Sequence, residues 1–490
     1  MAVKQRRAPA PPALPIAERK PLPAWALYTF GSVAALIPCF WQSRIQAGDL
    51  ASHLYNAWLA QLIHQGQAPG LKLVSLTTNV LFDWIIGWLL PAVGAGATQH
   101  IAVPLAVLVF VWGAFAFVKK ISGKRPDIWL IAIVMLAYGW VFHMGFFNYY
   151  ISLGLCFWAL SLAWDFRPAG LAAAAALFAL AYVAHGLPLA WSAGVLAYRF
   201  AADRLLPNRR GQVFVTAVAG VLLLTFTIGS VWKTQWFGDQ LAASIGVDQV
   251  VPYAARYWWV SLLLALAIVY AVVYVVRVRG WRDALSWTPV HIALLTSLGI
   301  IVIPNWISIP NYNHALVFLA QRTSLTLCIV LCAVAASSPP QRMPKYLLIG
   351  AAILFFGFLY RDEAALNGLE DQIAAAVAQL PTNSRVLTAV EAAYVRSNPV
   401  SHMIDRECIG RCYSYGNYEP SSSQFRVRIS GASPLVVATD RDANQLQGGS
   451  YIVQPRDVPV YQIFANPDGQ LMIRRLTPGM QSGMSAWYGL

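Results

Sequence analysis

Three polar side chains within residues 43–96 have types and spacing suited to acid–base chemistry. Asp49 precedes an amphipathic stretch, His53 follows four residues later on the same predicted helix face, and Asp83 lies in the apolar stretch 79–94. A carboxylate at the head of such a helix can remove a proton from a hydroxyl group while a leaving group departs. Either carboxylate could be this base or could orient the other groups. The structural alternative is that Asp49 only caps a helix and Asp83 is only a polar residue at a lipid surface.

Several basic side chains are candidates for binding an anionic group such as a phosphate. Arg322 lies within the apolar segment ALVFLAQRTSLTL, and charges in such segments usually mark a pathway, an ion pair or a site. Its guanidinium group can bind phosphate through two hydrogen bonds, so Arg322 is the first candidate. A structural ion pair or snorkelling is its alternative. Lys72, Arg256 and His185 are further substrate-binding candidates, with a solvated charge or an ordinary helix-end histidine as their alternatives.

The composition indicates which elements must position these residues. The chain has 490 residues, of which 58% are hydrophobic and 11% charged, whereas soluble domains carry about 25% charged residues. This excludes a protein that is only soluble and one that is disordered. A membrane-spanning helix needs about 20 apolar residues. Eleven segments are predicted to span a membrane, some of them short: 25–42, 97–118, 128–145, 147–165, 169–186, 187–201, 212–232, 257–277, 287–304, 314–336 and 345–360.

The positions of basic residues predict the orientation of these spans. We place the Pro- and Ala-rich tail 1–24 in the cytoplasm as a disordered segment, because it is basic and because basic loops face the cytoplasm. The later basic turns all face the same side only if 79–94 lies on the outer surface as an interfacial helix. The net charge of +14 then reflects these turns and does not indicate nucleic-acid binding. We expect a cytoplasmic (inner) membrane protein with its C-terminus outside.

Residues 361–490 differ in composition from the rest of the chain. They contain 11 Arg, no Lys and 12 acidic residues, with a predicted helix over 363–380. Short β-type stretches follow: RVLTAV, FRVRIS, PLVVATD, YIVQP, VPVYQIFA and QLMIRRL. We therefore predict a periplasmic or extracytoplasmic α+β domain of about 130 residues. Cys408 and Cys412 could form a disulfide there or remain free thiols, and this pair with His402 supplies too few ligands for a zinc site.

The arrangement of the whole chain resembles the GT-C superfamily of membrane glycosyltransferases, in particular those that use polyprenyl-phosphate-linked sugars. The matching features are a first span, an outer loop 43–96 with interfacial helices, a transmembrane body over 25–360 and an outer C-terminal domain. The motif residues are Gly48-Asp49, His53, Tyr55, Gly66 and Pro69. The pattern departs from the family where Asp49 is followed by Leu50 instead of an acidic residue, and no Asp-x-Asp metal motif follows. We therefore expect no cofactor, with a divalent metal left open.

The resemblance implies a membrane glycosyltransferase that moves a sugar from a polyprenyl-phosphate donor to a glycan, lipid or protein acceptor on the outer side of the membrane. Asp49 would be the general base. Two alternatives belong to other functional classes. One is a non-catalytic membrane scaffold that presents residues 361–490 to a protein partner, and the other is a transporter of lipid-linked glycans. A transporter would need more charges deep within several spans than this sequence supplies.

Overall fold

The computed structural model describes residues 23–310, 315–466 and 468–490, so most of the predicted tail 1–24 lies outside the described residues. The protein is mostly helical. Its helices, in chain order, are α1 Ala24–Leu36, α2 Leu50–His64, α3 Leu81–Ser122, α4 Trp129–Ala137, α5 Trp140–His143, α6 Phe147–Ala163, α7 Pro168–Ala184, α8 Gly186–Phe200, α9 Arg210–Val231, α10 Gln240–Ala243, α11 Trp258–Arg279, α12 Trp281–Leu285, α13 Thr288–Val302, α14 Leu319–Ala336, α15 Arg342–Ala378, α16 Met403–Cys408, α17 Glu419–Ser422 and α18 Asp440–Gln447.

Five helical segments in the described part of the chain are long and apolar enough to cross a membrane. They are Leu81–Ser122, Pro207–Val231, Ala255–Arg279, Leu319–Ala336 and Arg342–Ala378. Shorter apolar helices, among them α1, α6, α7 and α13, accompany them. The Pro207–Val231 segment has no buried residue in its most apolar window. Because such a surface would be unfavourable in water, this helix is suited to contact with lipid.

The predicted interfacial helix 79–94 and the predicted span 97–118 correspond to two helical stretches that meet at a kink. Both belong to α3, which is interrupted only at Gly94, where φ is 76° and ψ is 167°. This left-handed φ is readily adopted by glycine but not by residues with a side chain. The backbone changes direction at this residue, so that residues 81–93 form a separate arm leading to the rest of α3.

The predicted boundary at residue 360 falls inside a continuous helix. The segment 345–360 and the predicted helix 363–380 are both parts of α15, which runs for 37 residues without interruption. Leu359, Leu366 and Ile373 lie seven residues apart on it and are all fully buried, which places one stripe of the helix against the protein. The helix therefore connects the apolar body rigidly to the C-terminal domain.

The C-terminal domain contains a mixed sheet, as the sequence predicted in outline. Its strands are β5 Arg385–Ala392, β6 Tyr413–Ser414, β8 Val460–Ala465, β9 Leu471–Leu476 and β10 Ser485–Trp487. The order is β10-β5-β8-β9, with β6 also paired to β5, and only the β8–β9 pair is antiparallel. The prediction of a strand at PLVVATD is wrong, because residues 434–440 contain none. YIVQP forms only an isolated bridge at Ile452.

The first loop is built into the C-terminal domain. Strand β1 (Leu71–Leu73) pairs antiparallel with β7 (Val427–Ile429), which lies within FRVRIS. Two further short strands, β2 (Lys233–Gln235) and β4 (Leu316–Val317), flank β3 (Trp306–Ser308) elsewhere in the chain. The β1–β7 pair fixes the end of α2 against the domain through backbone hydrogen bonds.

Part of the apolar side of the α2 helix is covered by protein. The sequence places Leu54 and Tyr55 on an apolar side suited to a membrane interface, but both are completely buried. The backbone N–H of Ser414 donates a hydrogen bond to the Tyr55 hydroxyl over 3.0 Å, and the Asn417 amide donates to Asn56 over 2.9 Å. The apolar side chains are thus covered by protein, because the C-terminal domain packs over this helix.

Candidate functional site

A group of charged side chains lies where α2, the arm of α3, the start of α14 and the C-terminal domain meet. We call it the interdomain cluster. Its members come from four parts of the chain and interact with one another electrostatically. They are Asp49, His53, Asp83, Arg322, His402 and Glu419.

Asp49 stands at the N-terminus of α2 but does not cap it. Its side chain makes no capping hydrogen bond, although a capping aspartate normally accepts one from the first turn. The carboxylate is 28% exposed, and the His402 ring lies beside it, with Nε2 3.8 Å from Oδ1. A partly exposed carboxylate that serves no cap is free to accept a proton from a bound hydroxyl group.

A close backbone approach holds Asp49 in position. The backbone N–H of Asp49 donates to Met144 O over 3.1 Å, and that of Gly48 donates to His143 O over 2.8 Å. Gly145 has φ of +80°, and a Cβ there would lie 2.4 Å from the Asp49 nitrogen. A residue with a side chain would therefore displace the start of α2.

His53 forms an ion pair with Asp83. Its Nδ1 lies 2.8 Å from Asp83 Oδ1, and the Asn148 amide donates to the other carboxylate oxygen over 2.9 Å. Burial opposes the charged imidazolium, but the attraction of Asp83 and the neighbouring carboxylates outweighs it and raises the pKa of His53 to about 9. His53 is therefore a cation at neutral pH.

Glu419 comes from the C-terminal domain and completes this side of the cluster. It is buried, and the Ser52 hydroxyl donates to Oε1 over 3.2 Å. Burial raises the pKa of Glu419 to about 8, and the positive charge of His53 only partly counteracts this. Together with His53, Asp83 and Asn148, Glu419 lines a cavity of about 30 Å³, which has room for about one or two water molecules.

On the other side of Asp49, His402 is held by a carboxylate of its own. Its Nδ1 lies 3.1 Å from Asp405 Oδ2, and its Nε2 faces Asp49. Burial disfavours the charged ring, but the hydrogen bond and charge of Asp405 outweigh this and raise the pKa of His402. The geometry allows His402 to orient the Asp49 carboxylate.

Arg322 and His185 present two hydrogen-bond donors to one another. His185 Nδ1 accepts from the Leu187 N–H over 3.1 Å, so the proton of the neutral ring sits on Nε2. That Nε2 lies 3.5 Å from Arg322 Nη1, and guanidinium nitrogens can only donate. The Arg322 Nε is buried and has no hydrogen-bond partner among the described residues. An anionic oxygen would accept from these donors.

Aromatic rings and backbone fix the position of Arg322. Its Cζ lies 4.0 Å from the centre of the Phe146 ring, which favours the cation. The Tyr149 hydroxyl donates to the Arg322 carbonyl over 2.7 Å. At the start of α14, Phe318 has the left-handed φ of 59°, an uncommon conformation for a bulky residue.

Of the predicted substrate-binding residues, Arg322 belongs to the cluster and His185 adjoins it, whereas Lys72 and Arg256 lie apart from it. Lys72 has an exposed side chain on β1, opposite Arg428 on β7. Arg256 forms an ion pair with Asp362 of α15, so its charge is already neutralised within the protein. Cys408 and Cys412 are joined in a disulfide. Cys408 lies on α16, the helix that also carries Asp405.

The sequence did not identify Glu419 or Asp405 as site residues. Glu419 lies in the stretch YEPSSS, whose Pro and Ser residues predict only a turn, and His402 was considered solely as a metal ligand. Their proximity to Asp49 depends on packing between segments more than 350 residues apart, and no local spacing encodes it. Within the described residues, no set of three or more His, Cys, Asp or Glu side chains is arranged to hold a metal ion.

Comparisons of the chain with family models, with curated proteins and with solved structures gave no significant match.

Proposed function

We propose that the protein is a membrane glycosyltransferase that moves a sugar from a polyprenyl-phosphate donor to an acceptor on the outer side of the cytoplasmic membrane. In this proposal about eleven helices span the membrane, the N-terminus is cytoplasmic and the C-terminal domain is extracytoplasmic. The interdomain cluster then lies at the outer ends of the helices, at the depth of lipid headgroups.

One observation carries the proposal: Asp49, a partly exposed carboxylate without a capping role, interacts electrostatically with Arg322, a partly buried cation that forms no ion pair among the described residues. Buried charges are normally paired. A group that supplies the missing negative charge beside Arg322 and His185 fits the phosphate of a lipid-linked donor. An acceptor hydroxyl would then lie between this phosphate and Asp49.

The chemistry of such a site balances without a further reactant. Asp49 takes the proton of the acceptor hydroxyl as its oxygen bonds to the anomeric carbon of the donor sugar. The bond between that carbon and the phosphate oxygen breaks, and the electron pair leaves with the polyprenyl phosphate. Arg322 and His185 stabilise the negative charge on the departing phosphate. Because the hydroxyl attacks opposite the leaving group, the configuration of the sugar inverts.

The experiment is transfer from radiolabelled polyprenyl-phosphate sugars by the purified protein, with the acceptor fraction of the host membrane. We expect Asp49→Asn to lower the rate by about 10²- to 10⁴-fold, the usual contribution of a general base. Asp127→Asn is the matched control, because Asp127 pairs with Arg125 in a turn between α3 and α4. Equal turnover by the Asp49 variant and the wild type would remove Asp49 from this role. If a stoichiometric protein partner also copurified, that outcome would favour the scaffold function.

Arg322→Gln tests the donor site separately. We expect the KM for the lipid donor to rise about tenfold to a hundredfold, since hydrogen bonds to a charged group contribute about 1.5–3 kcal/mol. An unchanged KM for the donor would place the phosphate elsewhere.

A further inference from the structure

A groove on the opposite side of His53 from Asp49 has the composition of a saccharide-binding site. Its volume is about 390 Å³, which lies within the range of small-molecule sites, about 300–1,000 Å³. The second half of α2, the segment 73–76 and the arm of α3 form its walls. Its polar and aromatic lining includes Gln61, His64, Trp84, Trp88 and Arg426.

The two tryptophans give the groove an apolar platform. Trp88 is 84% exposed and Trp84 is 44% exposed, although large aromatic side chains normally gain free energy from burial. They lie four residues apart on one face of the α3 arm. Flat aromatic surfaces next to polar groups suit the alternating apolar and hydroxyl faces of a sugar ring.

Two polar groups in the groove lack partners among the described residues. The Gln61 Nε2 is buried and has no hydrogen-bond partner in residues 23–310, 315–466 and 468–490, which costs free energy unless a ligand accepts from it. Within the described part of the chain, the Arg426 guanidinium group forms neither a hydrogen bond nor an ion pair, and its charge is attracted by Asp83. The guanidinium nitrogens lie 3.9 Å from the position of a Cβ at Gly87, which has none. The absence of a side chain there leaves the cation accessible from the groove.

The groove continues into the interdomain cluster. Ala57, Leu76 and Arg426 line both this groove and the small cavity next to His53, Asp83 and Glu419. A ligand held by Arg426 would therefore direct one end toward the cluster.

We propose that this groove binds an acidic saccharide, one that carries a carboxylate or a phosphate group beside Arg426. Its assignment as the acceptor rests on the proposed function, whereas the binding itself does not. Gln61 would donate to a ring or hydroxyl oxygen, and Trp84 and Trp88 would contact the sugar faces.

The test is calorimetry on the full-length protein in phosphatidylcholine nanodiscs. The probes are trigalacturonate, maltotriose 6-phosphate and neutral maltotriose. We expect at least one acidic probe to bind about tenfold or more tightly than maltotriose, and Arg426→Gln to abolish this difference. Trp88→Ala should weaken binding of all ligands that bind, whereas Trp259→Ala, at a 66% exposed tryptophan of α11, should change none of them.

Three results would overturn the proposal. The first is equal affinity of wild type for neutral and acidic probes, and the second is an acid preference that survives Arg426→Gln. The third is that the protein binds no saccharide probe but retains phosphatidylglycerol, and that Arg426→Gln abolishes this retention. This result would assign the groove to a lipid headgroup. The proposed reaction fails independently: unchanged turnover by Asp49→Asn would refute catalysis even where the acidic probe binds as expected.

Discussion

A buried ion pair holds the C-terminal domain against the helical body, and breaking it gives the sharpest test of the fold. Arg406 of α16 donates to both carboxylate oxygens of Glu370 in α15, over 2.8 and 2.9 Å. The two side chains are 7% and 0% exposed. Arg406 also donates to Ile45 O and to Gln99 Oε1, so it connects the domain to the segment that precedes Asp49.

The expected magnitude follows from the groups left behind. Arg406→Met leaves the Glu370 carboxylate buried without its main partner, which costs about 3–5 kcal/mol in comparable cases. Glu370 keeps a hydrogen bond of 2.7 Å from Gln46, and Arg44 lies 4.0 Å away. We therefore expect a loss near the lower limit, about 3 kcal/mol, in the free energy of opening the domain. The double variant Arg406→Met/Glu370→Met should recover most of it, because neither charge remains.

Hydrogen exchange measures this opening in the intact protein. A loss of about 3 kcal/mol corresponds to roughly hundredfold faster exchange of the amides in residues 403–415 if they exchange through domain opening. Arg456→Met is the matched control, since Arg456 is 59% exposed in its pair with Asp442 and such pairs contribute about 0–1 kcal/mol. Equal acceleration in the Arg406 and Arg456 variants would refute the reasoning. The reasoning would also be refuted if the double variant Arg406→Met/Glu370→Met were as destabilised as Arg406→Met alone.

Three further predictions concern the groups around the cluster. Burial raises the pKa of Glu419 to about 8 from the ordinary 4.5, so between these pH values the folded protein retains a proton that the unfolded chain releases. The free energy of unfolding should therefore decrease as the pH rises from 4.5 to 8. Thermal unfolding at pH 5 and pH 8 should show a smaller fall for Glu419→Gln, and an identical fall would contradict this. His53, with its pKa raised to about 9 from 6.5, contributes stability below pH 6.5 that is lost as the pH rises through 9. Asp83→Asn should therefore destabilise more at pH 6 than at pH 10, and a uniform loss would count against the ion pair. Replacing Cys408 and Cys412 by Ser opens a loop with a sequence separation of 4, which in the chain-entropy model lowers the free energy of unfolding by about 2 kcal/mol. Chemical denaturation with and without reductant measures this loss. Unchanged stability of the double Ser variant would exclude a contribution from the disulfide.

Local patterns were sufficient for the elements of the apolar body. Long apolar runs become helices because every backbone group is then hydrogen-bonded within the segment, and α6, α7, α11 and α13 lie within or close to their predicted ranges. The predicted separation of 79–94 from 97–118 corresponds to the kink at Gly94, whereas the predicted boundary at residue 360 is wrong, because α15 runs through it. Helix α15 continues through Asp362 and Glu363, because both side chains are buried against neighbouring segments and no helix-ending residue intervenes.

The position of α2 shows where local reasoning fails. Leu54 and Tyr55 lie on the side that the sequence assigned to a membrane surface, yet both are covered by protein. An apolar face has the same pattern whether lipid or another domain covers it. Only the β1–β7 pairing and the packing of α16 on α2 decide between them.

The sequence by itself determined that this chain is rich in apolar helices, that a short α+β region follows them, and that Asp49, His53, Asp83 and Arg322 are candidates in an otherwise poorly charged protein. Composition and periodicity carry this information because they are local properties. The tertiary structure alone decided which candidates meet. It brought His402 and Glu419 to Asp49 and His53, set His185 beside Arg322, and left Lys72 and Arg256 apart. Burial and the distances between charges set these interactions, and both depend on contacts between residues far apart in the chain.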